Sequence, residues 1–228
     1  MNVRTLSQLL RLTVPLALFT LMPLVSASAA PFSPITQSGV FSTDDAHGLV
    51  AFSLASDQTL YFYTTSYAGG LNADGSTAAS GGFDPIVTLF DSTNTYVASN
   101  DDDTANYNRP KNGTVNSLDA YLAQNLTAGN YTLVVTQFDS FATVGSNIND
   151  PFSEDGNPNF TSIIFASGRT GMFYDSTGNQ NTGSYTVNVS AAPPAVPEAS
   201  TTLSLGLLLA LGLGGLIVTA RKRHATAK

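Results

Sequence analysis

An all-β domain built as an antiparallel sandwich, with a membrane-directed apolar segment on either side, is the fold this sequence predicts, and three observations carry the prediction. Helix-building residues are scarce: between residues 30 and 195 there is one lysine, Lys111, and one glutamate, Glu154, although exposed helix faces are normally built from Glu, Lys, Gln and Arg. Short runs alternate with period two. Tyr185, Val187 and Val189 fall on one face against Thr186, Asn188 and Ser190, and Tyr131, Leu133 and Val135 fall opposite Thr132, Val134 and Thr136. Turn chemistry punctuates these runs, as in Asp91-Ser92-Thr93-Asn94 and Thr127-Ala128-Gly129-Asn130.

Taken in order, residues 1–29 read as a secretory signal peptide. Arg4 and Arg11 precede an apolar stretch over 12–25, and Ala27-Ser28-Ala29 is the small-x-small pattern that signal peptidase accepts, so cleavage is expected after Ala29. Residues 30–190 form the sandwich. Strands are expected at 49–54, 59–65, 86–90, 96–99, 117–122, 131–137, 161–165, 172–174 and 185–189. Two connections, 68–82 and 139–159, are longer than ordinary loops. Leu126, Gly129 and Tyr131 resemble a tyrosine corner, in which a buried ring's hydroxyl bonds backbone across a turn.

Residues 191–195, with Pro193-Pro194, are an extended spacer. Beyond it, residues 203–220 carry no charge, and as a helix at ~1.5 Å per residue they cover roughly 27 Å, close to the ~30 Å hydrocarbon core. Arg221-Lys222-Arg223 follows at once and keeps the tail, 221–228, on the cytoplasmic side. A single transmembrane helix is therefore expected, with everything before Pro197 outside.

Those C-terminal residues resemble a known signal. Val196-Pro197-Glu198-Ala199-Ser200, a Leu/Gly-rich span and a basic end, together residues 196–223, look like the PEP-CTERM sorting signal of Gram-negative bacteria that export polysaccharide. Ala199 stands where that family usually has a second proline. The resemblance implies recognition of Val196, Pro197, Glu198 and Ser200 by an exosortase, a transient inner-membrane intermediate, and a final place at the cell surface or in an extracellular, exopolysaccharide-rich matrix. A second resemblance lies in the ectodomain. The segment 81–91, Ser99-Asn100-Asp101-Asp102, and the spacing of Leu126, Gly129, Tyr131 and Leu133 are similar to bacterial pre-peptidase C-terminal domains. That family implies a jelly-roll-like sandwich used mostly as a binding or accessory module.

Charge narrows the partners. The whole chain is at −7, but between residues 31 and 195 only Arg109, Lys111 and Arg169 oppose fifteen acids, a net charge of −12. Nucleic acid and anionic lipid are poor partners for such a surface, which leaves divalent cations and neutral glycans open. There is no cysteine, so stability must come from a core, with or without a metal.

The ectodomain has one histidine, His47, beside Asp44 and Asp45, and no Gly-x-Ser-x-Gly occurs, which argues against a serine triad, while one histidine without any cysteine argues against a zinc site. No catalytic residue is expected. Asn100-Asp101-Asp102-Asp103 is the sharper feature, because adjacent carboxylates repel unless water or a cation separates them. It reads either as a solvated acidic turn or as a Ca²⁺ site, with Asp84 and Asp91 as further ligands and Asp150, Glu154 and Asp155 as a weaker second cluster. Tyr61 and Tyr63 alternate against Leu60, Phe62 and Thr64, which makes them either a glycan platform or a covered second layer. The reading that joins these features is an exported envelope or matrix protein without catalysis, structural or adhesive within exopolysaccharide. A calcium-dependent glycan-binding module is its first alternative and a hydrolase its second.

Overall fold

The computed structural model describes residues 31–102 and 118–193, so the expected signal peptide, sorting motif, membrane span and Asp103 lie outside the described residues. Eight strands make two antiparallel sheets. In one, the order is β1 (Ile35–Val40), β10 (Ser184–Ser190), β3 (Gln58–Thr64), β8 (Tyr121–Leu126). In the other it is β2 (Gly48–Leu54), β9 (Gly129–Gln137), β6 (Pro85–Phe90), β7 (Tyr96–Asn100). A two-residue hairpin, β4 (Gly70–Leu71) with β5 (Thr77–Ala78), stands apart.

Alternation explains the layering. Phe52, Leu60, Phe62, Val87, Leu89, Leu133, Val135, Val187 and Val189 come from both sheets into one buried cluster, so the inner faces pack on each other. Aromatic rings fill the end near the start of β10. Phe41 stacks on Phe83 at 4.8 Å, and Tyr185 lies 4.9 Å from Phe41. The Tyr185 ring also fixes two glycines, since a Cβ on Gly39 or Gly48 would fall 2.5 or 2.8 Å from it. At the opposite end the tyrosine corner is present: the buried Tyr131 hydroxyl donates to the Thr127 carbonyl at 3.0 Å.

The two long connections cover the outer faces. Loop 66–82 is latched over the first sheet by Thr65 Oγ1 donating to Asn72 Oδ1 (2.6 Å) and by the Ala73 N–H donating to Asn188 Oδ1 (2.9 Å). Segment 138–183 packs on the second sheet, where Phe152 closes a small cluster with Phe90 and Val134. Every residue of β6 is consequently buried. Asp44 pins this cover from below, accepting from Thr161 N–H (3.0 Å), Thr161 Oγ1 (2.6 Å) and Phe173 N–H (2.7 Å).

Four expectations need correction. The strand expected at 161–165 is instead a short helix, α1 (Phe160–Ile164). Its β-branched composition favours a strand, but Asp44 receives two donors of its first turn and settles the conformation from outside the segment. The strand expected at 172–174 is reduced to a single bridge, Tyr174 to Gln180. β8 begins at Tyr121, so the expected 117–122 is displaced along the chain. β1 was not expected at all. Its alternation is mostly polar, and it is held by pairing with β10 and by polar rungs such as Ser38 Oγ to Thr186 Oγ1 at 2.8 Å.

Candidate metal centre

Strand register builds the site. β6 pairs with β7 through Val87 and Asn100, so the residues following β7 run back alongside the start of β6. There Asp84, Asp101 and Asp102 each bring a carboxylate oxygen to within 4.8 Å of the others. Gly81-Gly82 makes the approach to Asp84. A Cβ on Gly82 would sit 2.3 Å from the Ser184 carbonyl oxygen and 2.7 Å from Ser66 Cβ, so only glycine threads that gap. The Asp84 carbonyl then accepts the Phe138 N–H at 2.7 Å. Asn100 fixes the other side: its Nδ2 donates to the Tyr121 carbonyl, and its Oδ1 accepts the Asp101 N–H at 3.0 Å.

Each of the three carboxylates carries a buried Oδ1 that no hydrogen-bond donor among the described residues reaches. This is the informative observation, because buried polar atoms are nearly always satisfied and a buried carboxylate oxygen without a donor is costly. Two neighbouring carboxylates show the contrast. Asp119 accepts from the Tyr67 N–H (3.1 Å) and the Ala68 N–H (2.9 Å). Asp175 caps its own turn, accepting from Thr177 and Asn179, and takes the Tyr67 hydroxyl at 2.9 Å.

Electrostatics follows from this packing. Asp84 is 2% exposed. Burial above all, then the charges of Asp101, Asp102, Asp175 and Asp119, push its carboxyl up to about 9. Burial and the charge of Asp102 push Asp101 up to about 7. Burial also raises Asp102. The Tyr67 phenol is raised as well, by burial first and then by its bond to Asp175 and the surrounding carboxylates. The cluster therefore holds protons at neutral pH unless a cation replaces them. Only oxygen donors are present, which suits a hard divalent ion such as Ca²⁺ rather than zinc.

The other expected residues lie elsewhere. Asp91 is not part of the group. It follows β6 whereas Asp84 precedes it, and at ~3.3 Å per residue that strand separates them by roughly 23 Å. Its Oδ1 accepts from Thr93 Oγ1 (2.7 Å) and the Thr95 N–H (3.0 Å), which holds its carboxyl below the usual range. Asp150, Glu154 and Asp155 do not gather into a second group: Asp150 caps Asn147, Glu154 meets Asn157, and Asp155 pairs with His47 Nε2 at 2.9 Å.

The tyrosine platform is also corrected. Tyr63 is 2% exposed, in a row with Asn188 and Tyr121 on the covered outer face of the first sheet. Tyr61 is half-buried, its ring 6.3 Å from that of Tyr121. The sorting residues Val196, Pro197, Glu198 and Ser200 lie outside the described residues. No protein-family model matches the chain, and no curated protein matches it.

Proposed function

We propose that this chain is a non-enzymatic, calcium-stabilised module, exported through a cleavable signal peptide and sorted by a PEP-CTERM/exosortase system to the cell surface or extracellular matrix. There it acts as a structural or adhesive component of exopolysaccharide. The observation that carries the cation is the set of three buried carboxylate oxygens without donors at Asp84, Asp101 and Asp102. Those residues would hold the ion, which supplies the positive charge that lets the start of β6 and the end of β7 lie together.

The strand orders 1-10-3-8 and 2-9-6-7 support a jelly-roll reading, since two interlocked Greek keys produce that interleaving. They agree with the fold implied by the resemblance to pre-peptidase C-terminal domains. Export and sorting are supported by the order of motif, apolar span and basic end in residues 196–223. The burial of Tyr63 takes half of the aromatic platform away, which favours a structural role over a glycan-binding one. His47 is engaged with Asp155 and Phe152, which favours a role without turnover.

Calorimetric titration of calcium into the chelator-stripped full chain in detergent tests the proposal. One saturable ion per chain is expected. Heat no different from that of an ionic-strength control would overturn it.

A further inference from the structure

We infer that Gln137 is a further ligand of the same cation, its side-chain oxygen adding a neutral donor to the carboxylates of Asp84, Asp101 and Asp102; the inference rests on the calcium reading above. Gln137 ends β9 and is fully buried, at 0% exposed. Neither its Oε1 nor its Nε2 meets a hydrogen-bond partner among the described residues. A primary amide in a core ordinarily makes several hydrogen bonds, and burial of both atoms unpaired is rare.

Its position joins it to the acidic group. The β6–β9 register sets Gln137 opposite Pro85, the residue after Asp84. The β6–β7 register pairs Val87 with Asn100, where β7 ends, so the chain that carries Asp101 and Asp102 continues from there toward the Pro85 end of β6. Gln137 and the acidic residues thus flank the start of β6 from opposite sides, and the prolyl ring between them carries no competing polar side chain. The same sheet end collects most of the unsatisfied buried polar atoms among the described residues. Ser66 Oγ and Ser140 Oγ belong with those of Asp84, Asp101, Asp102 and Gln137. Ser66 is tied to this corner by the Gly82 N–H donating to its carbonyl, and Ser140 by its N–H donating to the Gln137 carbonyl.

The chemistry accounts for an amide there. Three carboxylates already exceed the charge of a divalent ion, so a fourth would leave the site over-charged. Ca²⁺ nevertheless takes six to eight oxygens, and carboxamide and carbonyl oxygens commonly complete its shell. With Oε1 on the ion, Nε2 is left to donate to the oxygens the ion gathers.

Two variants of the full chain in detergent test this, each measured by calcium calorimetry and by thermal unfolding in chelator and in calcium. Gln137→Leu removes two unsatisfied polar atoms at nearly constant volume. Its midpoint in chelator should equal or exceed the wild-type value, while its calcium Kd weakens tenfold or more. A purely structural amide would not give those opposite signs. Gln137→Glu should lower the midpoint in chelator and enlarge the gain on adding calcium. Calcium affinity within twofold of wild type in either variant would overturn the inference and leave the three-carboxylate site standing. No calcium uptake by the wild type would instead remove the calcium reading itself.

Discussion

Calcium uptake should expel protons, and the number is set by the burial of Asp84 and Asp101. With carboxyls at about 9 and about 7, Asp84 and Asp101 of the metal-free cluster share about 1.5 protons at pH 7. Binding one ion at pH 7 should therefore release about 1.5 protons. Apparent affinity should rise roughly a thousandfold between pH 6 and 8 and level off above pH 9. The metal-free protein has the opposite dependence. Asp84 binds its proton more tightly folded than unfolded, so the native state holds more protons between about pH 4 and 9, and stability falls as pH rises through that window. From Asp84 alone the loss is about 1.4 kcal/mol per pH unit. Saturating calcium should abolish that slope. The assay is calorimetry in buffers of different ionisation enthalpy, in which the slope of observed heat against buffer enthalpy counts protons directly. Saturable binding with a slope of zero and an affinity unchanged from pH 6 to 8 would refute the reasoning, because it would mean the three carboxylates are already ionised and solvated.

If Pro197 and Glu198 are read by an exosortase, the mature protein should lack residues 221–228, and changing either residue should leave the longer form in the inner membrane; mass spectrometry of the C-terminus decides between them. Asp102→Asn should abolish most of the calcium-induced rise in melting temperature while leaving the midpoint in chelator unchanged or raised, because one repelling charge is gone. Asp44→Ala strands the buried N–H groups of Thr161 and Phe173 and should cost about 3 kcal/mol or more, read as a drop of roughly 6–12 °C in calcium-saturated thermal unfolding. Gly48→Ala drives a methyl into the Tyr185 ring and should cost about 1–3 kcal/mol, which Tyr185→Leu in the same chain should partly restore.

The strongly alternating strands were legible in the sequence because burial imposes a period of two on them. β9 and β10 sit where 131–137 and 185–189 place them, and Tyr131 makes its predicted corner. The weakly alternating β1 gave no such signal, since one face of it is hydroxyls bonded across to β10. The 160–164 helix was illegible for a different reason: its conformation is settled by Asp44, more than a hundred residues away. The site divides in the same manner. Asp101 and Asp102 were visible as a charge run, and Asp84 through the Phe83-Asp84-Pro85 phrase. Asp91 looked equivalent by proximity in the sequence, but a full strand length lies between it and Asp84. Nothing in the string distinguishes Gln137 from a surface amide. Only its register opposite Pro85, at the closed end of a covered sheet, singles it out.

The course of β10 gives the domain a direction. The strand begins at Ser184, beside Gly82 and the acidic corner, and ends at Ser190, where its last residues lie alongside Ile35 at the start of β1. Entry and exit therefore share one pole, and the carboxylates occupy the other, roughly 23 Å away along a seven-residue strand. A chain held from beyond Pro193 would be held by its base, with Asp84, Asp101 and Asp102 at the free tip. A tug from there would load β10 first, between its neighbours β1 and β3, and would reach the cation only after crossing the whole height of the sheet.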